Sequence, residues 1–269
     1  MISRNNNNIV KTSNNSDGIL RITLNNPKNH NALSEEMMLN MQLSLDEAAS
    51  DKKIRVIIIS ADGPTFSAGH DLKELKAGRK NPDKGKAYFK DVMFKCSKLM
   101  QTIVNNPKPV IAEVAGVATA AGCQLVASCD LAYAGESARF ATPGVNIGLF
   151  CSTPMVALSR NISNKHSMEM LLTGDLISST KAAEIGLINK MIDDNALKNF
   201  VLERALKISK KSAMTLKIGK EAFYNQIEMT LSEAYDYASN VMVENMLKLD
   251  AEEGIDAFIN KRTPNWQDK

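Results

Sequence analysis

The chain has 269 residues, 44% of them hydrophobic and 23% charged, with 33 basic against 30 acidic side chains and a formal charge of +3. Those proportions belong to an ordinary globular protein long enough to bury its apolar surface without disulfides or metal, and they exclude bulk disorder and a small stapled scaffold. So even a charge balance gives no electrostatic footprint for nucleic acid or a membrane surface.

The four cysteines, Cys96, Cys123, Cys129 and Cys151, form no C-x-x-C pair, and there are only three histidines. That argues against a Cys/His zinc site and fits a reducing compartment. Residues 1–17 are Asn-rich and polar, unlike a secretory or transit segment, and are expected to be flexible. The expected compartment is the cytoplasm, with the mitochondrion as the alternative for a eukaryotic source. The longest uncharged run, Phe140 to Ser159, contains Pro143 and Pro154 and is rejected as a membrane span.

The first predicted strand is Gly18 to Leu24, broken by Asn25-Asn26-Pro27. Ser34 with Glu35 and Glu36 predicts a capped helix running to about Ala49. Ile54 to Ser60 is almost continuously apolar, as a strand covered on both faces must be. Leu72 to Lys76 reads as a short helix, and Lys76 to Lys86 as loop. Lys86 to Val104 predicts a long helix stopped by Asn105-Asn106-Pro107. Val110 to Val114 is a second buried strand. Gly116 to Cys129 predicts a tight turn and a buried helix, followed by short strands over Leu131 to Ala134 and Arg139 to Ala141. From Thr153 the pattern is mostly helical, with capping-box spacing between Thr230 and Glu233 and a final helix over Ala251 to Asn260. Strand–helix alternation implies parallel strands with helical crossovers, and the terminal helices either cover the core or build an oligomer interface.

There is no phosphate loop of the G-x-x-x-x-G-K-[ST] type, no G-x-G-x-x-G and no H-E-x-x-H, and Thr65 stands where a nucleophile elbow needs glycine. Two segments do carry a signal. Thr65-Phe66-Ser67-Ala68-Gly69-His70-Asp71-Leu72-Lys73-Glu74-Leu75 follows a buried strand and enters a helix, and Val114 to Leu125 (VAGVATAAGCQL) does the same. Backbone N–H groups at a helix start have no intrahelical acceptor and can bind an anion, and small residues let a ligand come close. Side by side, two such turns would aim two N–H donors at one carbonyl oxygen, the geometry of an oxyanion hole. The competing reading is a pair of tight turns that use small residues for packing.

Taken together, the segments resemble the crotonase superfamily, also called the enoyl-CoA hydratase/isomerase family. Phe66 to Leu72 resembles its first signature. Pro109-Val110-Ile111-Ala112 with Gly116 and Ala120-Ala121-Gly122-Cys123 resembles the second. Leu172-Thr173-Gly174-Asp175, Ala182-Ala183 and Gly186-Leu187-Ile188 resemble the C-terminal signature. The resemblance implies an α/β fold, a crotonase-like spiral of ββα units over 18–195, and a helical region over 196–269 that builds a homo-oligomer, either a trimer or a dimer of trimers. The implied ligand is an acyl-CoA, with no metal and no separate cofactor. Its thioester carbonyl would accept hydrogen bonds from the backbone N–H groups of His70 and Ala121. Ala68 matches a position whose backbone meets the CoA adenine, and Gly69, Asp71 and Leu72 belong to the same CoA-binding run. Lys28 and Lys73 match family lysines that approach the CoA phosphates.

Hydration of an enoyl thioester needs proton transfer at two carbons, and family hydratases use two glutamates for it. Here those positions match Gln124 and Gly144. Glutamine cannot take a proton near neutral pH, although it can orient water, and glycine has no side chain. Losing one acid/base group typically costs about 10²–10⁴-fold, which argues against ordinary hydratase or isomerase activity. An oxyanion hole needs only backbone, so a reaction that makes its enolate without a protein base stays open. Malonyl-type decarboxylation is one such reaction, and Ser67-Ala68-Gly69-His70-Asp71 resembles the same run in decarboxylases of the superfamily. Thioester hydrolysis, a non-catalytic acyl-CoA sensor, and a hydratase that recruits His70 with water held by Gln124 are the other readings. Gln124→Glu with Gly144→Glu is the design test these departures imply.

Overall fold

The computed structural model describes residues 9–269. Strand β1 (Val10–Asn14) pairs antiparallel with β2 (Ile19–Leu24). This corrects the expectation of a flexible segment over 1–17: residues 10–14 are paired, while residues 1–8 lie outside the described residues. The sequence conceals β1 because its side chains (VKTSN) are mostly polar and exposed, so it shows no strand periodicity.

Helix α1 (Glu35–Ser50) starts where the Ser34 hydroxyl accepts the Met37 N–H at 3.2 Å. From β3 (Val56–Ala61) onward the chain repeats one unit: a long strand, a short strand in a second sheet, then helix. The units are β3, β4 (Thr65–Ser67), α2 (Leu72–Gly78) and α3 (Lys86–Val104); β5 (Val110–Val114), β6 (Val117–Thr119) and α4 (Ala121–Ser128); and β7 (Leu131–Gly135), β8 (Arg139–Ala141), a 3₁₀ turn over Pro143–Ile147, α5 (Ser152–Asn161) and α6 (Asn164–Thr173). Strand β9 (Ile177–Ser178), α7 (Ser179–Glu184) and β10 (Lys190–Ile192) close the two sheets. The larger sheet has the order β1-β2-β3-β5-β7-β10 and the smaller β4-β6-β8-β9. Between β2 and β10 every pairing in the larger sheet is parallel. This is the expected α/β spiral of ββα units.

The apolar run of β3 is explained by its two covers. Ile57 and Ile59 enter the main core with Met37, Met41 and Leu45 of α1 and Leu99 of α3. Val56 and Ile58 face the other way, toward Leu197, Val201 and Ala205 of α8 (Leu197–Ser209). All four cysteines are free and buried. No helix among the described residues is long and apolar enough to cross a membrane, and no group of His, Cys, Asp and Glu among them could hold a metal ion.

Helices α9 (Ala213–Gln226), α10 (Leu231–Met246) and α11 (Leu249–Ile259) follow. Helix α9 is tied to the core by one buried ion pair. Lys220 Nζ donates to Asp130 Oδ2 at 2.7 Å and to the carbonyls of Ile103 and Lys108 at 3.0 and 3.1 Å. Asp130 also accepts the Tyr224 hydroxyl at 3.0 Å and the Val110 N–H at 2.7 Å.

Beyond α11 the chain returns as a strap. Asp268 accepts from Arg55 Nη1 at 2.6 Å and from the Ala213 N–H at 2.7 Å, and Trp266, the single tryptophan, donates Nε1–H to the Lys210 carbonyl at 2.9 Å. Glu253 accepts both Arg262 Nη1 and Nη2, at 2.6 and 2.8 Å, and the Asn265 N–H at 2.6 Å. The Arg262 guanidinium and then the Asn265 N–H depress the Glu253 carboxyl from the ordinary 4.5 to about 2. A depressed carboxyl contributes its stabilisation fully above the ordinary value and loses it as pH falls through the folded one. Between pH 4.5 and about 2 the strap is therefore expected to loosen. An acid titration of Trp266 fluorescence should show a red shift in that window, before the helical circular dichroism is lost. A shift that tracks the helix signal throughout would show that the strap has no separate transition.

Candidate functional site

The two signalled segments touch. Gly69 has φ +86° and lies against the turn before α4. A Cβ added to it would stand 2.9 Å from the Ala120 Cβ, 3.0 Å from the Ala121 nitrogen and 3.1 Å from the Thr119 carbonyl. Behind it, a Cβ on Gly122 would collide with the Ser67 carbonyl. Glycine at these two places lets the backbones of the β4 and β6 turns meet.

That contact brings two donors together. Ala121 is the first residue of α4, so its N–H has no intrahelical acceptor. His70 forms a parallel bridge with Leu33 in which Leu33 donates to the Gly69 carbonyl at 2.7 Å. In such a bridge the flanking groups bond, and the His70 N–H stays out of the ladder. Ala120, between the turns, sits at φ +50° and ψ −121°. A side chain there costs about 1–3 kcal/mol, strain of the kind that collects at functional sites.

Around the pair lie buried polar atoms with no partner. Both ring nitrogens of His70, Gln124 Oε1 and Thr142 Oγ1 are in this state. Gln124 is one turn from Ala121, its N–H donating to the Ala120 carbonyl at 3.0 Å. Thr142 follows Ala141, whose carbonyl accepts the Ala120 N–H at 2.9 Å. Leaving such atoms unsatisfied costs about 1–3 kcal/mol each, so their occurrence on the segments that meet here calls for a ligand or water. None of these side chains is a carboxylate. Burial lowers the His70 pKa from its ordinary 6.5, against a smaller opposing effect of the Leu33 backbone. His70 is therefore neutral at pH 7 and presents one donor and one acceptor.

Gly144 is buried, and no side chain fits on it. An added Cβ would stand 2.7 Å from the Leu149 carbonyl oxygen and 2.9 Å from Cys151 Sγ. The position that the resemblance matches to a family glutamate therefore has no room for a side chain. Gly144→Glu is thus expected to destabilise the protein by about 1–3 kcal/mol or more, as overpacking does, without installing an acid. Thermal melts of Gly144→Glu and Gln124→Glu, singly and together, decide this; a fully stable Gly144→Glu with hydratase turnover would contradict it.

The remaining residues singled out in the sequence lie on the turn from β4 into α2 and on the 3₁₀ turn beside it. Ala68 is exposed and donates its N–H to the His30 carbonyl at 3.0 Å, which sets the 3₁₀ turn carrying Lys28 beside it. Lys28, Leu72 and Lys73 are exposed. Asp71 is the cap of α2, accepting the Lys73 and Glu74 N–H groups at 2.8 and 3.4 Å. Its carboxylate is thereby engaged in the fold. Thr142 was not singled out by sequence reasoning. The signal was its place beside Pro143-Gly144, which the resemblance matches to a family glutamate position. The four free thiols are held protonated by burial, with Cys123 pushed up to about 12, so none is poised as a nucleophile.

The profile of the enoyl-CoA hydratase/isomerase family matches residues 14–269. Over 249 residues the chain is 50% identical to the mitochondrial enoyl-CoA hydratase domain-containing protein 3 of Xenopus laevis, covering 93% of this chain and 83% of that protein. The crystal structure of the human enoyl-CoA hydratase domain-containing protein 3 superposes with a TM-score of 0.91 at 46% identity, covering 96% of this chain and 100% of that one. An enoyl-CoA hydratase of Mycobacterium smegmatis superposes with a TM-score of 0.92 at 42% identity, covering 96% and 98%.

Proposed function

The chain belongs to the enoyl-CoA hydratase/isomerase family, and on that premise we propose that it binds acyl-CoA thioesters with the thioester oxygen held between the N–H groups of His70 and Ala121. The observation that carries this reading is the closure of Gly69 on Ala120 and Ala121. Two preorganised donors favour the thioester enolate over the neutral carbonyl, because charge builds on that oxygen. Lys28 and Lys73, exposed beside the Ala68 turn, are the proposed partners of the CoA phosphates.

The proposed chemistry does not depend on a protein carboxylate, since Gln124 and Gly144 offer none. In a malonyl-type thioester the bond from C2 to the carboxylate breaks, CO₂ leaves, and the electron pair becomes the enolate that the two N–H groups stabilise. Water then returns a proton to C2. The neutral surroundings of His70, Gln124, Thr142 and Cys151 support this over hydration, which requires a base for water. No metal or further cofactor enters the proposal.

Mass spectrometry of products from crotonyl-CoA, longer enoyl-CoAs, methylmalonyl-CoA and saturated acyl-CoAs tests it, with a protein-free control. Loss of CO₂ supports the proposal. Gain of water shows that the missing glutamates have been bypassed. Calorimetric binding without product moves the function to a sensor.

Self-association belongs to the same proposal. Helices α10 and α11 and the turn between them expose Leu231, Leu247, Phe258 and Ile259, apolar side chains that contact between copies would cover. Sedimentation should give a trimer or a dimer of trimers, and a monomer at micromolar concentration would refute it. Cytoplasmic residence is checked by fractionation, with the mitochondrion named for the relatives as the competing outcome.

A further inference from the structure

Position 144 has not been left as an empty slot. The Leu149 N–H donates to the Gly144 carbonyl at 2.9 Å, and Gly148, at φ +75°, closes the 3₁₀ turn. The turn thereby folds its own backbone over residue 144 and brings Cys151 Sγ to within 2.9 Å of where a Cβ would stand. The volume a side chain at 144 would use is taken by a side chain from position 151.

Two buried, unpartnered polar atoms lie on the adjoining segments, a state that a bound ligand would relieve. Gln124 is 4% exposed, with Oε1 unsatisfied, and sits next to Cys123, which lies near Cys151. Thr142 is 0% exposed, with Oγ1 unsatisfied, and is two residues from Gly144. Burial keeps the Cys151 thiol protonated, partly opposed by the Gly144 N–H that faces it.

Building on the acyl-CoA reading, we propose that Cys151 is the specificity-determining residue of the acyl pocket: its thiol, held over Gly144, sets the depth available at the carbons next to the thioester. The ligand class this selects is a short acyl thioester. The depth is then adjustable at one position. A bulkier side chain at 151 shortens the pocket, and a smaller one admits an α-branch.

The test is calorimetric titration of the full-length wild type, Cys151→Leu and Cys151→Ala with free CoA, butyryl-CoA and isobutyryl-CoA, with thermal melts to confirm that each variant is folded. Cys151→Leu is expected to weaken butyryl-CoA by about tenfold or more while leaving free CoA within about twofold, as overfilling a packed wall does. Cys151→Ala is expected to improve isobutyryl-CoA relative to butyryl-CoA by about fourfold, the worth of one newly accommodated methyl group. If Cys151→Leu does not fold, the Cys151→Ala preference alone decides. A folded Cys151→Leu that binds butyryl-CoA like the wild type, or a Cys151→Ala with unchanged preference, overturns the proposal. A wild type that binds neither CoA nor its thioesters overturns the underlying acyl-CoA reading, and shows this before any variant is made.

Discussion

Gly69→Ala is expected to lower turnover of any accepted acyl-CoA by about 10²–10³-fold, the usual cost of losing one oxyanion-hole donor. Two effects act together. At φ +86° an L side chain is strained by about 1–3 kcal/mol. Its Cβ would also meet the Ala120 Cβ, the Ala121 nitrogen and the Thr119 carbonyl at 2.9 to 3.1 Å. Two of those three atoms are backbone, so relief requires the β4 and β6 turns to separate by some tenths of an ångström. The N–H groups of His70 and Ala121 are carried on those turns and would diverge with them. Because the donors matter most for the enolate, kcat should fall much more than binding of a saturated acyl-CoA weakens. Single-turnover kinetics with calorimetry on the folded variant would show this split. Equal losses in kcat and binding would mean that the turn shapes the pocket without serving as the oxyanion hole.

Lys220→Ala is expected to cost about 3–5 kcal/mol of stability, the largest loss from a single side chain far from the site. Burial raises the Asp130 pKa and lowers that of Lys220, each partly offset by the attraction of the other. Deleting the ammonium leaves Asp130 buried with only the Tyr224 hydroxyl and the Val110 N–H. It also removes the donor to the carbonyls of Ile103 and Lys108. Asp130→Asn with Lys220→Met removes both charges and should recover part of the loss. Denaturant unfolding of the single and double variants measures the coupling, and a single variant within 1 kcal/mol of wild type, about the worth of an exposed pair, would show that the pair is merely superficial.

Much of the frame was readable from the sequence because its signals are local. Continuous apolar runs mark β3 and β5, which are covered on both faces. The helix expected over Lys86 to Val104 is found over those same residues, fixed by the Asn-Asn-Pro stop. The two turns were legible as small-residue segments entering helices. The short strands β4, β6 and β9 were not, since two or three residues cannot show an alternation. Glu113, on a strand, had no readable role; its partner, Arg21 at 2.6 Å, is far away in sequence. The same limit applies to Gly144. The resemblance implies a glutamate at this position in family hydratases, whereas the filling of the place by Leu149 and Cys151 depends on how the turn folds back.

The buried cysteines also make the protein its own clock. An alkylating reagent reaches a thiolate only when the surrounding structure opens, so each cysteine reports the free energy of the opening that uncovers it. Cys151 lies beside a surface turn whose neighbours Leu149 and Phe150 are 47% and 42% exposed. Cys96 and Cys123 are 0% exposed within the main core. Cys151 should therefore be labelled first, at the rate of a local fluctuation of the turn, and the core thiols last, at the rate of global unfolding. Ligand-dependent slowing confined to Cys151 would then time the opening and closing of the acyl pocket without any engineered probe.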